Sequence, residues 1–510
     1  MSLLIGALFG AALTPLAALE FVHMFQLEGY VQRNYYQWIK AHLPACALPL
    51  ALAAVAALLW LLPVAPWANQ LSSGSVLTAL VALYALYVRQ KPAKKPLVFT
   101  ARVKRLLAGI AAVGLVLGLV TPCLPVGVVC LAVSLAAVLL APVERAVKRG
   151  YFNRSKATLA GYTDMIKIGI TGSYGKTSAK FMLGAILSEA FDTLVTPHSY
   201  NTPMGVCRVI GETMKGTEQV FVAEMGARHR GDIAEMCLLV GPRYGLITSV
   251  GPQHLETFGD LETVAKTKYE LIEALPEDGV AFFPDDGGIC RQLYERTDKP
   301  KRLFGIEGEG YFLCARDLTV GPWGSRFTLE HGAERVEATC CLLGRHNVMN
   351  LLGAASVALE LGMDLAAIAR GIGKIAPIEH RLQLLPSGNG VTVIDDAFNA
   401  NPAGFAAAME VLRGFPGRKI VLTPGLVELG EAEQAENRKA GQRLGESCDI
   451  AILVGRKRSA PLVEGLKDVN FAGQLIVAEN FAEATAALGK LTRVGDVVLF
   501  ENDLPDNLEG

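Results

Sequence analysis

The run Thr171-Gly172-Ser173-Tyr174-Gly175-Lys176-Thr177-Ser178 gathers two glycines, one lysine and several hydroxyls into a single short stretch. That composition suits a polyphosphate. Glycines let backbone N–H groups close around phosphate oxygens, a lysine neutralises the β- and γ-phosphates, and a Thr hydroxyl at a helix N-terminus can sit on Mg²⁺. The apolar stretch Met165 to Ile170 before the loop reads as a strand, and Ser178 to Leu187 after it reads as a helix. The expected ligand is therefore ATP with Mg²⁺, held by Gly172, Ser173, Tyr174, Gly175, Lys176, Thr177 and Ser178. Only two residues separate Gly172 from Gly175, so the loop is shorter than the commonest nucleotide loop.

The elements that position this loop belong to an alternating strand and helix pattern that starts at Met165. Strand-like runs occur at Gln219 to Glu224, Tyr244 to Val250, Val391 to Asp395, Lys419 to Thr423 and Ile450 to Val454. Alternation of this kind predicts an α/β fold with a mostly parallel sheet. Polar residues that do chemistry in such sheets collect at the carboxyl ends of strands, where Glu224, the Gly251 to His254 turn and Asp395-Asp396 fall. A domain boundary is expected near Ala376-Pro377, after a helical stretch from Asn350 to Ile375.

The first 141 residues are different. The chain has 510 residues, 51% of them hydrophobic, with a mean hydropathy of +0.34, and the excess is concentrated in five apolar runs. These cover Ser2 to Leu19, Leu43 to Ala65, Ser73 to Val88, Leu106 to Val120 and Leu124 to Ala141. Each approaches the length that crosses about 30 Å of hydrocarbon, so about five transmembrane helices are expected within residues 1–150. A cleaved signal peptide is not expected, because no basic start precedes the first run. Arg89, Lys91, Lys94, Lys95, Arg102, Lys104 and Arg105 crowd one loop, and Arg145, Lys148, Arg149, Arg154 and Lys156 follow the last run. Both basic segments are expected on the cytoplasmic side, which gives a multi-pass cell-membrane protein with its ATP-using part in the cytoplasm. The segment Glu20 to His42 then lies inside, the N-terminus outside, and Gly150 to Asp164 forms the hinge to the enzyme. A formal net charge of −1 gives no support for nucleic acid as partner. Ten scattered cysteines without a Cys-x-x-Cys pair imply neither a disulfide framework nor a zinc ribbon, and Cys340-Cys341 reads as a buried strand pair.

Nine strings then occur in one order: TGSYGKTS, SYNTPMG (Ser199 to Gly205), AEMGARHRGDI (Ala223 to Ile233), ITSVGPQHLETFG (Ile247 to Gly259), AKTKYE (Ala265 to Glu270), GRHNVMN (Gly344 to Asn350), EHRLQ (Glu379 to Gln383), IDDAFNANP (Ile394 to Pro402) and VELGE (Val427 to Glu431). In that order they resemble the Mur ligase family, nearest the branch that adds the last peptide unit. The resemblance implies a P-loop-type central ATPase domain at 165–376 and a Rossmann-like C-terminal Mur ligase domain at 377–510. It also implies amide synthesis for cell-envelope or peptidoglycan precursors: ATP phosphorylates a carboxylate, and an amine displaces phosphate from the acyl phosphate. Lys176, Glu224, His254, Lys268 and Arg381 match the catalytic set. Thr177, Glu224, His254 and Lys268 match the metal set, with Lys268 carried as a carbamate. Asn347 resembles the adenine contact, Asp396 the ribose contact, and Arg381 the guanidinium near the transferred phosphate.

The sequence departs from the family in three places. Ala397-Phe398 stands where Ser-Tyr is usual, Pro424-Gly425-Leu426 where Gly-Asp-Met is usual, and Phe500 to Asn507 replaces the basic Gly-Ser-Arg end. The family's UDP-gripping N-terminal domain is also replaced by the apolar runs. The resemblance therefore implies an ATP-dependent ligase acting on a carboxylate-bearing envelope precursor, either lipid-linked or free, with an amino acid or dipeptide as the amine. The interfacial stretch Glu20 to Leu43 carries His23, Gln26, Glu28, Tyr30, Arg33, Tyr35, Tyr36 and Trp38, which read first as membrane-interface anchors and second as contributors to substrate choice. An ATP-driven transporter and a non-catalytic nucleotide-binding partner are the alternatives. The first lacks a transporter signature, and intact Lys176, Glu224, His254 and Lys268 weigh against the second.

Overall fold

The structure is a computed structural model that describes residues 2–61, 65–90, 95–253, 255–385, 390–397, 401–427 and 429–502. It divides into two compact units, residues 1–150 and residues 151–503.

The first unit is helical: α1 (Ser2–Ala17), α2 (Leu19–Leu27), α3 (Gln32–Ala41), α4 (Leu43–Ala57), α5 (Pro66–Gln90), α6 (Ala101–Gly118), α7 (Cys123–Gly127) and α8 (Val129–Gly161), the last running on into the second unit. Glycines decide its closest packing. A Cβ on Gly114 of α6 would run into the Gly10 carbonyl of α1, and one on Gly118 would meet the Gly6 carbonyl. Gly6-x3-Gly10 thus faces Gly114-x3-Gly118, the small-residue spacing that lets two helix backbones touch. Thr100 caps α6 by accepting from Val103 N at 3.2 Å, and Arg105 holds Glu144 of α8 through Nε and Nη2 at 2.6 and 2.9 Å. Gln32 and Tyr36 of α3 hydrogen-bond the Ser134 hydroxyl of α8.

Five spans were expected here, and the helices divide differently. By length and composition α5 and α8 are each able to cross a membrane, and the bent pairs α1 with α2 (46°) and α3 with α4 (80°) raise the number to four among the described residues. The fourth expected run lies in α6, whose first turns carry Arg102, Lys104 and Arg105 and leave an apolar remainder shorter than about 20 residues. The fifth is broken between α7 and α8 at Val128. The expected hinge segment, Gly150 to Asp164, begins where the two units divide and is helical as far as Gly161, with Phe152 and Leu159 packed into the core of the second unit.

In the second unit the strands are β1 (Ile166–Thr171), β2 (Thr193–Val195), β3 (Val220–Glu224), β4 (Tyr244–Ile247), β5 (Val280–Pro284), β6 (Lys301–Ile306), β7 (Leu313–Gly321), β8 (Gly324–His331) and β9 (Glu334–Cys340). They form one sheet in the order β2-β3-β1-β4-β5-β6-β7-β8-β9, parallel as far as β7 and closed by an antiparallel meander. The helices that follow are α9 (Lys176–Leu187), α10 (Pro203–Glu212), α11 (Asp232–Val240), α12 (Leu255–Phe258), α13 (Leu261–Glu273), α14 (Ile289–Glu295), α15 (Arg345–Glu360) and α16 (Leu365–Gly373). Alternate strand residues face opposite ways. Ile168, Ile170, Val222 and Leu246 pack on α9 and α15, and Phe221, Ala223 and Ile247 pack on α11 and α13. The helical stretch expected from Asn350 to Ile375 is two helices. Gly362 at φ 90 ends the first, and Asp364 caps the second by accepting from Ala367 N at 2.6 Å. Of the expected buried pair, Cys340 is buried at the end of β9, whereas Cys341 lies beyond the strand and is exposed.

A second sheet of β10 (Gln383–Leu385), β11 (Thr392–Asp396), β12 (Lys419–Thr423), β13 (Ile450–Val454), β14 (Gln474–Ala478) and β15 (Val497–Glu501) has the order β10-β11-β15-β12-β13-β14. All its pairings are parallel except β10 with β11. α17 (Pro402–Arg413), α18 (Glu433–Gly445) and α19 (Ala460–Asp468) cover one face of it, and α20 (Phe481–Leu491) the other.

The glycine contact predicts that Gly114→Leu destabilises the helical unit. The cost should be at least the roughly 1–3 kcal/mol typical of overpacking, because backbone atoms cannot move aside as side chains do. Thermal unfolding of the detergent-solubilised protein reads it, and an unchanged midpoint would contradict the packing.

Candidate active site

The phosphate loop leaves β1 at the centre of the first sheet. β1 lies between β3 and β4, with Ile170 opposite Glu224 and Thr171 opposite Ile247, so both neighbouring strands end beside the loop. Hydroxyls from the end of β4 hold it. Ser249 Oγ accepts from Tyr174 N at 2.9 Å and donates to Tyr174 O at 3.0 Å. Ser173 N donates to Ser249 O at 2.8 Å, Ser173 Oγ donates to Gly251 O at 3.0 Å, and Tyr174 Oη reaches Pro252 O at 2.6 Å. Two glycines are obligatory. A Cβ on Gly172 would strike the Thr248 hydroxyl, and Gly175, at φ 79, would press one into the Asn350 amide. Gly175 is also the N-cap of α9, so the helix begins at Lys176, two residues earlier than its apolar pattern suggests.

Lys176 is half-buried, not an exposed loop charge. Its ammonium donates to Gly172 O at 2.7 Å and Ser173 O at 3.1 Å, carbonyls of the loop it serves. Burial pushes its pKa down to about 8, against the pull of Glu224 and with the help of Arg381. Glu224 is 1% exposed and engaged on both oxygens. Lys180 Nζ stands 3.1 Å from Oε2, and Asn201 Nδ2 donates to Oε1 at 2.9 Å. Lys180 also donates to the His198 carbonyl. Neither Lys180 nor Asn201 was assigned a role from sequence. Lys180 sits one helical turn after Lys176, on the face that the apolar pattern of α9 marks as core, and only its buried neighbour identifies it as an ion-pair partner.

Lys268 comes from α13, which Asp260 caps by accepting from Thr263 N at 2.7 Å. It is 1% exposed. Among the described residues its ammonium makes no hydrogen bond or ion pair and lies 5.7 Å from the centre of the Phe258 ring. Burial pushes its pKa down to about 7, and Lys176 adds repulsion that Asp232 and Glu270 only partly offset. A buried lysine without a carboxylate is an amine for much of the time at neutral pH. His254, the remaining metal residue of the expected set, lies outside the described residues.

The opposite wall is built by α15 and the start of the second sheet. Asn347, in the first turn of α15, is buried and donates to Leu343 O at 2.8 Å, which fixes its amide and leaves Oδ1 available. His346 beside it is kept neutral: burial, with Arg381 nearby, lowers its pKa to about 4. Arg381 sits between two residues in the left-handed region, His380 at φ 58 and Leu382 at φ 46, a conformation few side chains accept unaided. The paired aspartates hold this turn. His380 Nδ1 meets Asp395 Oδ2 at 2.7 Å, and Asp396 Oδ1 accepts from Leu382 N at 3.1 Å. Arg381 is thereby aimed at the cleft and not at Glu379, whose oxygen lies 3.8 Å from His380.

Tyr174, Gly175, Ser178, Asn347, Arg381 and Asp396 all line a single cleft of about 590 Å³. Beside the loop, the Thr177 hydroxyl in the first turn of α9 and the Glu224 carboxylate at the end of β3 are of the hard oxygen type that Mg²⁺ prefers. Among the described residues no group of three or more His, Cys, Asp and Glu side chains converges on a metal position.

Comparison with known proteins agrees with this geometry. Residues 170–358 match the Mur ligase middle domain, and residues 380–501 match the Mur ligase glutamate ligase domain. The UDP-N-acetylmuramoyl-tripeptide--D-alanyl-D-alanine ligase of Mycobacterium tuberculosis is 33% identical over 365 residues, covering 65% of this chain and 69% of that one. The Escherichia coli ligase of the same name is 31% identical over 327 residues, covering 64% and 70%. Among solved structures, MurF from Acinetobacter baumannii superposes with a TM-score of 0.64 at 27% identity, over 71% of this chain and 78% of that one. MurF from Thermotoga maritima in complex with ADP gives 0.61 at 25% identity, over 70% and 80%. With two family domains in sequence, relatives that share two thirds of their length, and a phosphate loop facing a second sheet across one cleft, the chain belongs to the Mur ligase family.

Proposed function

We propose that this protein is a MurF-like, ATP-dependent ligase of peptidoglycan precursor synthesis that works on a membrane-presented substrate from the cytoplasmic face of the cell membrane. The observation that carries the ligase reading is the single cleft in which Tyr174, Gly175 and Ser178 of the phosphate loop and helix face Asn347, Arg381 and Asp396, with Arg381 close enough to act on Lys176. The named relatives act on a UDP-N-acetylmuramoyl-tripeptide and D-alanyl-D-alanine. The same chemical classes, a carboxylate and an amine, fit a site of this charge.

In the first step a carboxylate oxygen attacks the γ-phosphorus and ADP leaves. In the second the amine nitrogen attacks the acyl carbon, phosphate leaves, and the nitrogen loses a proton. Two anions must approach each other, so cations decide the rate. Lys176 exchanges its loop carbonyls for phosphate oxygens, Arg381 supplies charge from the facing wall, and the loop N–H groups hold the phosphates in place. Asn347 and Asp396 would orient adenine and ribose. Mg²⁺, held by Thr177 and Glu224, would screen the phosphate oxygens. Lys268 suits conversion to a carbamate: its neutral amine attacks CO₂, one N–C bond forms and one proton leaves, and the buried cation becomes an anion able to serve the metal.

The membrane part of the proposal rests on the first unit. Leu4, Leu8, Val55, Leu83, Val116 and Leu139 are exposed there, a density of apolar surface that water does not tolerate and hydrocarbon does. The basic residues around Arg102 and Arg149 favour the cytoplasm for both flanking segments. On this reading the helical unit contributes affinity for the precursor, since confinement to the bilayer raises its local concentration without added contacts.

Three outcomes follow. Lys176→Ala should lower acceptor-dependent phosphate release by about a hundredfold or more, and near-normal turnover would remove the triphosphate assignment. Lys268→Ala should be inactive and partly restored by short-chain carboxylic acids. Because the amine of Lys268 protonates below about pH 7, wild-type activity should also fall on the acid side and drop further when CO₂ is removed; absence of both the rescue and the CO₂ effect contradicts the carbamate. Finally, the full-length protein in detergent micelles should release phosphate faster with a lipid-linked precursor than with its soluble UDP-linked form. Equal rates would reduce the helical unit to an anchor.

A further inference from the structure

Glu501 ends β15 and has no part in the reaction described above. It is fully buried, at 0% exposure, and neither carboxylate oxygen meets a hydrogen-bond donor among the described residues. Carboxylates are not left this way without cause, since an unpaired buried charge costs several kcal/mol. Its position explains the arrangement. β15 runs parallel to β11 with Glu501 directly opposite Asp396, so two acids end adjacent strands at the floor of the nucleotide cleft. The charged groups acting on Glu501 among the described residues are Asp396 and Arg381.

One guanidinium balances one carboxylate. With both acids ionised the trio would carry a buried net negative charge beneath a site that must take a polyphosphate. One acid therefore holds a proton. Asp396 already accepts from Leu382 N at 3.1 Å, which favours its ionised form. Glu501 has no such donor, so it is the acid and Asp396 the acceptor. Burial and the neighbouring carboxylate push Glu501 well above the usual range, while Asp396 moves up only to about 6.

We propose that Glu501 is a positioning residue for nucleotide recognition: as a neutral acid it donates a hydrogen bond to Asp396, fixing that carboxylate and keeping the cleft floor free of a second negative charge. This rests on the reading that Asp396 contacts the nucleotide ribose. When Glu501 loses its proton, the donor disappears and the extra charge repels the phosphates. ADP affinity should then fall as pH rises through the titration of the pair.

The test is calorimetric binding of ADP to the full-length protein in detergent from about pH 6 to pH 9, where one linked proton changes affinity by up to roughly tenfold per pH unit. Lys176 and Lys268 titrate in the same window, so the comparison between variants carries the result. Glu501→Gln keeps the donor and cannot ionise. At high pH it should bind ADP more tightly than wild type does, with a shallower pH slope. Glu501→Leu, lacking the donor, should bind on the order of tenfold more weakly at low pH. If the Glu501→Gln and wild-type profiles superimpose, the proposal is wrong. Asp396→Ala separates this failure from that of the ribose reading. Should it bind ADP as wild type does, the ribose assignment fails; should it bind weakly while Glu501→Gln tracks wild type, only the proton-holding role of Glu501 fails.

Discussion

Four cationic side chains, Lys176, Lys180, Lys268 and Arg381, are drawn together around one phosphate loop, and the low dielectric of their surroundings makes that concentration of charge costly. Lys180 is committed to Glu224. The others are managed differently: Lys176 by loop carbonyls, Lys268 by losing its proton, and Arg381 by the acids at the ends of β11 and β15. A triphosphate relieves the whole arrangement at once. The rest of the second unit serves to hold these groups against their repulsion, by placing strand ends, helix starts and one strained turn around a common point.

That strained turn explains why the second sheet matters before any acceptor arrives. His380 and Leu382 hold left-handed conformations because Asp395 and Asp396 grip them, so the orientation of Arg381 depends on β11. The adjacent β15 then places Glu501 behind Asp396. The lining of the cleft is thus distributed over both sheets, and it lies where the carboxyl ends of their strands converge, as open α/β sheets generally arrange.

Much of this could be read from the chain. The phosphate loop, β12 and β13 were legible because their signals are local: glycine spacing in the first case and short β-branched runs in the others. Asn347, Arg381 and Asp396 were legible only through the ordered motifs, since nothing local distinguishes them from surface polar residues. Lys180, Asn201, His346 and Glu501 acquired no role, because each depends on a neighbour distant in sequence. Lys180 needs Glu224 from β3, and Glu501 needs Asp396 from β11. The helical unit was read by its hydrophobic runs, a measure blind to bends. It joined what Val128 breaks and missed the bends that follow α1 and α3, while α8 runs through Gly150 because a single glycine does not interrupt helical hydrogen bonding.

The hydroxyl staples on the phosphate loop reach beyond nucleotide binding. Ser173 and Tyr174 are tied to Gly251 and Pro252, and the chain from there leads directly into α12 and the Asp260 cap of α13, the helix that carries Lys268. Any ligand that shifts this segment alters the loop, and any nucleotide that orders the loop alters the segment. Thermodynamic reciprocity requires the two effects to be equal in free energy. Nucleotide binding at the loop and the setting of the helix that carries Lys268 are thereby two readings of one short connection.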